Sequence, residues 1–448
     1  MEKYSKESYE KKIDAIFKRF PSIQKVGFGE AYKPGLGNIE AFEAILGNPH
    51  ENFRTIHVAG TNGKGSVANM LASVLSSTGL KVGLYTSPHI LDFRERMRVR
   101  AGGETTLVPE EYVFDFLASY ESDMDSLSLS FFEITTGLAF KWFSDMEVDV
   151  AVIEVGLGGR LDSTNVITPD LAVVTCIGLD HCDLLGDTLE KIAFEKAGIF
   201  KEGVPALVGE SLPETRPVFE AKAKDFCPLA FAQDMEPSSW CRHSGILERM
   251  DLRGAYQAKN LRTALAAVDI LAGIPGYEGL RSSSLVEDAI VHAACRMGFH
   301  GRWERLSDNP PVIVDIGHNP PALKENFAQL EKMRENGEYS SLIMVYAIMG
   351  DKDLDGVLPL APQNAAYILT SPSIRRSLPS GELYRRVRAY RERNGMDIEQ
   401  VYERPGVEGA LSLAKELAAK SPRPLVYVGG SAYLVSEAMP LLLPGQGF

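Results

Sequence analysis

The chain has 448 residues, of which 45% are hydrophobic and 24% are charged, so two or three globular domains are expected. Its 47 basic and 60 acidic side chains give a formal net charge of −13, which argues against unspecific binding to nucleic acid or to an anionic membrane. Five scattered cysteines without a C-x-x-C pair argue against a disulfide framework or a zinc site, and a charged N-terminus without a signal-peptide core predicts a cytoplasmic protein.

Short apolar strands alternate with longer amphipathic helices, a pattern typical of parallel sheets with helices on both faces. In the first part of the chain, strands are predicted at Thr55–Ala59, Lys81–Tyr85, Val150–Val155 and Leu171–Thr175. Helices are predicted at Val67–Ser77, Phe131–Ser144, Thr188–Ile199 and Tyr256–Ala272. Residues 206–255 mix proline, serine and charge with poor periodicity, so no element is predicted there.

The alternation restarts near residue 300. Strands are predicted at Pro311–Asp315, Ser341–Tyr346, Ala366–Leu369 and Pro424–Val428. Helices are predicted at Pro321–Met333, Gly381–Arg393 and Glu408–Ala419. We therefore expect one domain over residues 1–299 and a second, smaller α/β domain over residues 300–448.

The strongest single signal is the run Thr55–Ser66, TIHVAGTNGKGS, in which a strand enters a glycine-rich turn and a helix leaves it. In that geometry, backbone N–H groups converge on an anion at the helix N-terminus. Lys64 supplies a positive charge for phosphates, and Ser66 offers a hydroxyl to phosphate or Mg²⁺. The run departs from a standard Walker A motif, because Gly60 and Gly63 are three apart and Gly65 separates Lys64 from Ser66. The alternative interpretation is a plain glycine-rich turn.

Three polar side chains follow other predicted strands of the first domain. Ser87, Glu154 and His181 each lie at or just beyond a strand end, where ligands collect in open α/β sheets. A hydroxyl, a carboxylate and an imidazole, completed by water and phosphate oxygens, would suit Mg²⁺ or Mn²⁺. Each has an ordinary alternative: a turn before proline for Ser87, an ion pair for Glu154, and a helix cap for His181. Taken alone, Lys196 reads as a solvated helix face.

Five stretches together resemble the folylpolyglutamate synthase and dihydrofolate synthase family of the Mur ligase superfamily. They are Gly60–Ser66 (GTNGKGS), Thr86–His89 (TSPH), Glu154–Asp162 (EVGLGGRLD), Asp180–His181 and Glu195–Ile199 (EKAGI). The resemblance extends from about residue 30 to about residue 440. It implies an α/β fold with an N-terminal P-loop ATPase domain, built on a parallel-rich sheet, and a smaller C-terminal Rossmann-like α/β domain. Residues 1–299 would be the ATP-binding central domain, and residues 300–448 the glutamate-ligase domain.

The resemblance also implies ligands for the first domain, with ATP and two Mg²⁺ ions as cofactors. The residues that would bind ATP phosphates are Gly60, Thr61, Asn62, Gly63, Lys64, Gly65 and Ser66, with Asn260 at the adenine. Ser87, Glu154 and His181 would hold magnesium. Lys196 matches a lysine that is carbamylated in relatives, where the added carboxylate helps to hold a second magnesium, and this replaces the solvated-face interpretation.

In the second domain, the resemblance implies that Arg302 contacts ATP, that Asp315 binds ribose or triphosphate, and that His318 acts near glutamate or the phosphates. Lys64, Lys196 and His318 would thus be catalytic. Residues that match segments lining the pteroate pocket of relatives are Phe132, Glu133, Thr135, Gly159 and Arg160, with residues 33–38 as another pocket segment. Tyr256 departs from the family, which has histidine before Gln257.

The implied reaction is ATP-dependent attachment of glutamate to a dihydropteroate or folate carboxylate through an acyl phosphate. A bifunctional dihydrofolate synthase/folylpolyglutamate synthase, acting as a monomer on small molecules without nucleic acid or membrane, is the main hypothesis. One alternative is a UDP-muramyl amino-acid ligase, although only about 50 residues precede the loop strand. The other is a non-catalytic P-loop nucleotide-binding module, which would leave Glu154–Arg160 and the second domain without a role.

Overall fold

The computed structural model describes residues 3–19, 35–235 and 245–443 and divides into two compact units. The first unit comprises residues up to Asp251 together with Gln257–Phe299. The second unit comprises Leu252–Tyr256 together with the residues from His300 onward. Lys33 and Pro34 of the predicted pocket segment, and Cys241, lie outside the described residues.

The first unit is built on a sheet whose described strands are β1 (Arg54–Ala59), β2 (Val82–Tyr85), β3 (Met97–Ala101), β4 (Glu104–Leu107), β5 (Val150–Glu154), β6 (Leu171–Val174), β7 (Ala206–Val208) and β8 (Leu229–Phe231). They lie in the order β4-β3-β2-β5-β1-β6-β7-β8. The pairings from β2 to β8 are parallel, whereas β3 pairs antiparallel with both β2 and β4. The central strands β5 and β6 are buried along their whole length, which explains their continuous apolar runs.

The described helices of this unit are α1 (Lys6–Arg19), α2 (Gly37–Leu46), α3 (Lys64–Ser77), α4 (Glu110–Ser119), α5 (Glu121–Ser126), α6 (Phe131–Asp145), α7 (Cys182–Leu185), α8 (Leu189–Lys196), α9 (Arg216–Ala223), α10 (Ile246–Arg249), α11 (Gln257–Leu271), α12 (Ser283–Val291) and α13 (Ala293–Met297). Helix α3 leaves the glycine-rich turn and is buried from Gly65 to Leu75, because α11, α12 and α13 cover it. On α6, Phe140 and Trp142 are at most 1% exposed.

The second unit is built on a sheet whose described strands are β9 (Glu304–Asp308), β10 (Pro311–Asp315), β11 (Ser341–Tyr346), β12 (Ala365–Leu369), β13 (Val401–Glu403) and β14 (Pro424–Gly429), in the order β13-β12-β11-β14-β10-β9. Only the pairing of β9 with β10 is antiparallel among the described strand pairs of this sheet. The described helices are α14 (Pro320–Glu335), α15 (Leu354–Val357), α16 (Ser380–Arg393), α17 (Val407–Lys420) and α18 (Ala432–Leu442).

The predicted strands and helices are confirmed, most of them to within two residues at each end. The predicted helix Thr188–Ile199 ends as an α-helix at Lys196 and continues as a 3₁₀ turn over Ala197–Ile199. Residues 206–255, for which no element was predicted, contain the short elements β7, α9, β8 and α10. None of the helices in the described ranges is both long enough and apolar enough to cross a membrane.

Candidate active site

The glycine-rich loop joins β1 to α3 at the carboxyl edge of the first sheet. Gly60 and Gly63 have φ values of +145° and +85°, a region that favours glycine. A Cβ at Gly60 would run into the Thr175 hydroxyl, and a Cβ at Gly63 would run into the Asn260 amide oxygen. The loop therefore requires glycine at both positions, for backbone conformation and for space.

The neighbouring strand β6 fixes the loop. The Thr175 hydroxyl donates to the Asn62 carbonyl at 2.6 Å, and the Cys176 thiol lies 3.3 Å from the same oxygen. The Thr61 amide donates to the Cys176 carbonyl at 2.8 Å, and the Thr61 hydroxyl accepts from the Gly178 amide at 3.0 Å. These bonds hold the loop in a preorganised shape, which favours anion binding through its backbone N–H groups.

Two lysine ammonium groups share one carbonyl oxygen of this loop. Lys64 Nζ donates to the Gly60 carbonyl at 3.0 Å and to the Thr61 carbonyl at 3.3 Å. Lys196 Nζ, from the end of α8, donates to the same Gly60 oxygen at 2.9 Å. The loop thus brings two lysine amino groups to the place where an anionic ligand would bind.

Lys196 is buried, with 4% of its surface exposed, so the interpretation of Lys196 as a solvated helix face is wrong. Burial and the adjacent Lys64 ammonium lower the pKa of Lys196 to about 7. At neutral pH a lysine with that pKa is an uncharged amine for about half of the time, and the uncharged amine is nucleophilic.

The first turn of α11 lies against the start of α3. Gln257 Nε2 donates to the Ser66 hydroxyl at 3.2 Å, and Asn260 Nδ2 donates to Gln257 Oε1 at 2.8 Å. All three side chains are buried. Asn260 thereby reaches the glycine-rich loop itself, since it is the residue that occupies the space beside Gly63.

Glu154 ends β5, directly beside the loop strand, because it pairs in register with Val58 of β1. Its carboxylate is 3% exposed and accepts from the Ser87 amide at 3.0 Å. Ser87 and Glu154 are therefore brought together. Their hydroxyl and carboxylate oxygens are hard donors of the kind that Mg²⁺ prefers.

His181 follows β6 and occupies the N-cap position of α7 with φ +55°, but its side chain makes no capping hydrogen bond. Its Nε2 lies 3.7 Å from Asp180 Oδ2. Within residues 3–19, 35–235 and 245–443, no group of three or more His, Cys, Asp or Glu side chains is arranged to hold a metal ion.

The loop after Glu154 packs tightly on the segment that carries Lys196. The Arg160 amide donates to the Glu195 carbonyl at 2.8 Å, and the Arg160 guanidinium donates to the Glu195 carboxylate at 2.9 Å. A Cβ at Gly159 would lie 2.8 Å from the Glu195 carbonyl and 2.9 Å from that of Lys196. Gly159 is thus required for close backbone packing, and Arg160 remains exposed at its surface.

The predicted pocket residues on α6 have defined contacts. The Phe132 ring lies 5.9 Å from that of Tyr85 and occupies the space beside Gly156. Glu133 caps its own helix, since its carboxylate accepts from the Ser130 amide at 2.6 Å. The Thr135 hydroxyl lies 2.9 Å from the Tyr85 hydroxyl. Glu133 and Thr135 are buried, whereas Phe132 is partly exposed.

In the second unit, Asp315 at the end of β10 is 2% exposed and accepts four hydrogen bonds. Oδ1 accepts from the Gly317 amide at 2.7 Å and from Asn326 Nδ2 at 2.6 Å. Oδ2 accepts from the Trp303 amide at 2.8 Å and from the Tyr256 hydroxyl at 2.7 Å. The carboxylate is therefore saturated by groups of the protein itself.

Arg302 and His318 flank Asp315 in the same unit. Arg302 Nη1 lies 3.4 Å from the carbonyl oxygens of His300 and Gly301. His318 Nδ1 lies 3.0 Å from the Ile316 carbonyl, which leaves Nε2 directed away from that bond. Both side chains are partly exposed.

Sequence reasoning missed several residues of the loop's surroundings. Thr175 and Cys176 hold Asn62, and Gln257 holds Ser66, yet none of them was given a role from the sequence. The signal for Thr175 was available, because it is the last residue of the predicted strand Leu171–Thr175. For Gln257, the only available signal was its position three residues before Asn260, which places the two side chains on the same face of a helix.

Two family models match the chain. One, described as the Mur ligase middle domain, matches residues 58–208, and the other, described as the Mur ligase glutamate ligase domain, matches residues 301–432. The chain is 32% identical to the folylpolyglutamate synthase of Lacticaseibacillus casei over 90% of its own length and 92% of that protein. It is 33% identical over 91% of its length to a probable bifunctional folylpolyglutamate synthase/dihydropteroate synthase of Haloferax volcanii, of which it spans 48%.

Solved structures are similar over nearly the whole chain. Folylpolyglutamate synthase from Mycobacterium tuberculosis, complexed with ADP and AMPPCP, has a TM-score of 0.80 at 26% identity and covers 97% of this chain and 98% of its own. The bifunctional folylpolyglutamate synthase/dihydrofolate synthase from Yersinia pestis, complexed with AMPPNP and an Mn ion, has a TM-score of 0.75 at 26% identity and covers 92% and 95%.

Proposed function

This chain belongs to the folylpolyglutamate synthase and dihydrofolate synthase family of Mur ligases and is an ATP-dependent ligase that joins a folate carboxylate to glutamate; we propose that it is bifunctional. On this proposal it adds glutamate to dihydropteroate and also extends the glutamate tail of reduced folates. The ligase chemistry is supported by the convergence of Lys64 and Lys196 on the Gly60 carbonyl, one residue beyond the strand that pairs with Glu154. The proposal of two activities is supported by the similarity to the bifunctional enzyme of Yersinia pestis.

The phosphate loop binds the triphosphate of ATP in this proposal. Its backbone N–H groups and the Lys64 ammonium receive the β- and γ-phosphates, and Gln257 orients the Ser66 hydroxyl. The γ-phosphoryl group passes to the substrate carboxylate, giving ADP and an acyl phosphate. The amine of glutamate then attacks the acyl carbon, phosphate leaves, and an amide forms. Lys64 stabilises the negative charge that is shared between the β- and γ-phosphate oxygens during transfer.

Divalent metal would be held at the same edge by Glu154, Ser87 and His181. The fit rests on Glu154, whose buried carboxylate lies beside the loop strand and next to Ser87. When bound, magnesium neutralises phosphate charge and orients the transferred group. Glu154 also keeps the Ser87 segment in place through the Ser87 amide.

Lys196 is proposed to carry a carbamate. An unmodified ammonium would repel a cation, whereas a carbamate supplies two oxygen ligands. The buried position and the pKa of about 7 support this, because carbon dioxide reacts with the uncharged amine and not with the ammonium.

Arg302, Asp315 and His318 are proposed to serve the nucleotide and glutamate, as residues of the glutamate ligase domain. Arg302 offers a partly exposed guanidinium for phosphate, and His318 offers Nε2. Asp315 has its four acceptor positions occupied, so a ribose hydroxyl would have to replace the Tyr256 hydroxyl.

The folate is proposed to lie against Phe132, Gly159 and Arg160. Phe132 offers a partly exposed ring for stacking on a pterin, and Arg160 offers an exposed guanidinium for a carboxylate. Glu133 and Thr135 would act by shaping α6, since both side chains are engaged within the fold.

The function is tested by ATP- and Mg²⁺-dependent phosphate release with glutamate, using dihydropteroate in one reaction and tetrahydrofolate in another. We expect release in both reactions. Release with a single substrate would assign one activity and reject bifunctionality. A folded protein that releases phosphate in neither reaction would reject the proposed function.

The carbamate is tested by carbon-13 NMR after exposure to labelled bicarbonate. We expect one carbamate resonance in the wild type and its loss in Lys196→Ala. Short carboxylates should partly restore turnover to that variant. Lys81→Ala, at a partly exposed lysine outside the loop, is the matched control and should keep the resonance.

A cytoplasmic, monomeric state completes the proposal. The cytoplasmic location is supported by the four described cysteines, all of which are free thiols. Sedimentation equilibrium at micromolar concentration would contradict the monomer if it gave twice the mass of the chain.

A further inference from the structure

A chain of three buried polar side chains crosses the first unit from the phosphate-loop strand to the loop after Glu154. His57, in the middle of β1, is fully buried, and its Nε2 lies 2.8 Å from the Thr164 hydroxyl. Thr164, also fully buried, lies 2.5 Å from Asp162 Oδ1 through the same hydroxyl. We call His57, Thr164 and Asp162 the buried relay.

The hydrogen bonds of the buried relay have a fixed direction. Burial raises the pKa of Asp162, but both of its oxygens also accept from backbone amides, those of Leu157 and Thr164. We therefore assign the hydroxyl proton of Thr164 to Asp162, and the Nε2–H of His57 to the Thr164 oxygen. Burial and the nearby Lys201 lower the pKa of His57 to about 3, which keeps the ring neutral. Among the residues that the structure describes, Nδ1 of this ring has no hydrogen-bond partner.

The other end of the relay holds the loop that follows Glu154. Asp162 Oδ2 accepts from the Leu157 amide at 2.8 Å, and its Oδ1 accepts from the Thr164 amide at 3.1 Å. Asn165, three residues after Asp162, donates from Nδ2 to the carbonyls of Arg160 and Gly198, each at 3.1 Å. The turn from Asp162 to Asn165 therefore ties β1, the loop after Glu154 and the segment after Lys196 together.

We propose that His57, Thr164 and Asp162 are positioning residues for the ligase reaction, which set the loop Gly156–Arg160 against Glu154 and Lys196. The described side-chain hydrogen bonds of these three residues do not reach the phosphate loop, and that loop is fixed separately by Thr175 and Cys176. The relay therefore governs where the carboxylate substrate is held and leaves nucleotide binding unchanged. The expected effect on kcat rests on the proposed function. The expected effect on the order of the loop Gly156–Arg160 does not.

Thr164→Val tests the relay, because valine keeps the shape and removes the hydroxyl. We expect kcat to fall by about 10–100-fold, the usual cost of displacing a reacting group by a fraction of an ångström to one ångström. The dissociation constant of a non-hydrolysable ATP analogue should stay within about twofold, since Thr175 and Cys176 still hold its loop. Thr164→Ser, which restores the hydroxyl, should recover most of the lost kcat. Rates are normalised to nucleotide-binding sites, so that partial unfolding does not count as lost catalysis.

Ser73→Ala is the matched control. Ser73 is fully buried in α3 and donates to the Ala289 carbonyl at 2.7 Å, so this variant loses one buried hydrogen bond in the same unit, whereas Thr164→Val loses two. Both alanine and valine variants should lose roughly 2–4 °C of melting temperature. Only Thr164→Val should lose kcat, and equal kcat in the two variants would overturn the proposal.

Hydrogen exchange provides a readout that does not depend on turnover. Thr164→Val should raise the exchange rate of the peptide covering residues 156–160 about tenfold, and Ser73→Ala should leave it unchanged. Unchanged exchange in Thr164→Val would overturn the relay even if the wild type proved to have a different activity. If Thr164→Val fails to fold, His57→Gln and His57→Leu carry the same test. Glutamine can donate to Thr164 and should retain kcat and protection, whereas leucine should lose both.

Discussion

The carboxyl edges of the two sheets use buried charge in opposite ways. In the first unit, a single carbonyl oxygen of Gly60 accepts from two lysine ammonium groups. In the second unit, a single carboxylate, that of Asp315, accepts from four donors. At the first edge, the hydrogen bonds described for the two lysines go to backbone carbonyl oxygens and not to a carboxylate, so the edge is poised for an anion. The second edge has satisfied its anion from within the protein.

This difference separates residues that are available for chemistry from residues that hold a fold. A charged group that lacks enough partners gains from a ligand, so its removal should lower activity more than stability. A charged group with every partner in place contributes mainly to stability, so its removal should do the reverse. A charged residue after a strand is the sequence signal for both kinds of residue. The sequence alone therefore does not distinguish a residue available for chemistry from one that stabilises the fold.

The largest expected effect is at the first edge. Lys64→Ala should lower kcat by at least about 10³-fold, because it removes a preorganised cation from the transferred phosphoryl group. The free energy of unfolding should change little, since Lys64 is only partly buried and donates to backbone oxygens of its own loop. Steady-state rates and urea denaturation measure the two quantities. A kcat near that of the wild type would remove Lys64 from the site.

The second effect is the dependence of stability on pH caused by Lys196. Its pKa falls from 10.5 to about 7 on folding, so between these values the unfolded chain binds more protons. Stability must therefore rise with pH from about 7 to about 10.5, by an amount of order a few kcal/mol in the apo protein without carbon dioxide. Lys196→Met should abolish this rise, which urea denaturation at pH 7 and pH 9.5 will measure. Identical slopes in both proteins would contradict the buried amine.

The third effect is at the second edge. Asp315→Asn replaces one accepting oxygen by an N–H₂ group that faces two donors, and it should lower the free energy of unfolding by about 1–3 kcal/mol. Chemical denaturation measures the loss, and Asp355→Asn, at an exposed carboxylate of the same unit, is the control. If Asp315→Asn keeps its stability but loses nucleotide affinity, Asp315 serves ligand binding as Lys64 does. The proposed difference between the two edges would then be wrong.

The smallest effect comes from Tyr256→Phe. Removing this hydroxyl leaves Asp315 with three donors and should cost about 1 kcal/mol of stability. Nucleotide affinity should stay the same or rise, because the freed position on Oδ2 is the one proposed for a ribose hydroxyl. Isothermal titration with ADP provides the measurement. A marked loss of affinity would assign Tyr256 itself to the nucleotide.

The elements of the fold that consist of continuous apolar runs could be predicted from the sequence. The buried central strands β1, β5 and β6 were found almost to the residue, because a strand covered on both faces must be continuously apolar. The hairpin β3–β4 was missed, since it is rich in arginine, threonine and glutamate and one of its charged side chains, Arg98, is nonetheless buried. The short strands β7 and β8 were missed because three residues carry no periodicity.

The candidate site was predictable as a set of positions rather than as a network. The positions of the glycine-rich turn, Ser87 and Glu154 could be predicted because each lies at the end of a predicted strand. The structure brings Ser87 and Glu154 together. Lys196 was misjudged from its helix alone, because its burial depends on Gly60, which is 136 positions away in sequence. The buried relay was invisible for the same reason, since His57 and Thr164 are 107 positions apart.

The short strands at the edges of both sheets also affect the tendency of the protein to self-associate. The described sheets end in β4 and β8 in one unit and in β13 and β9 in the other, and these strands have three to five residues. An outer strand of that length presents few unpaired backbone groups, so it is a poor template for edge-to-edge aggregation. We therefore expect that lengthening β8 or β13 with residues able to pair would increase edge-to-edge association of the protein.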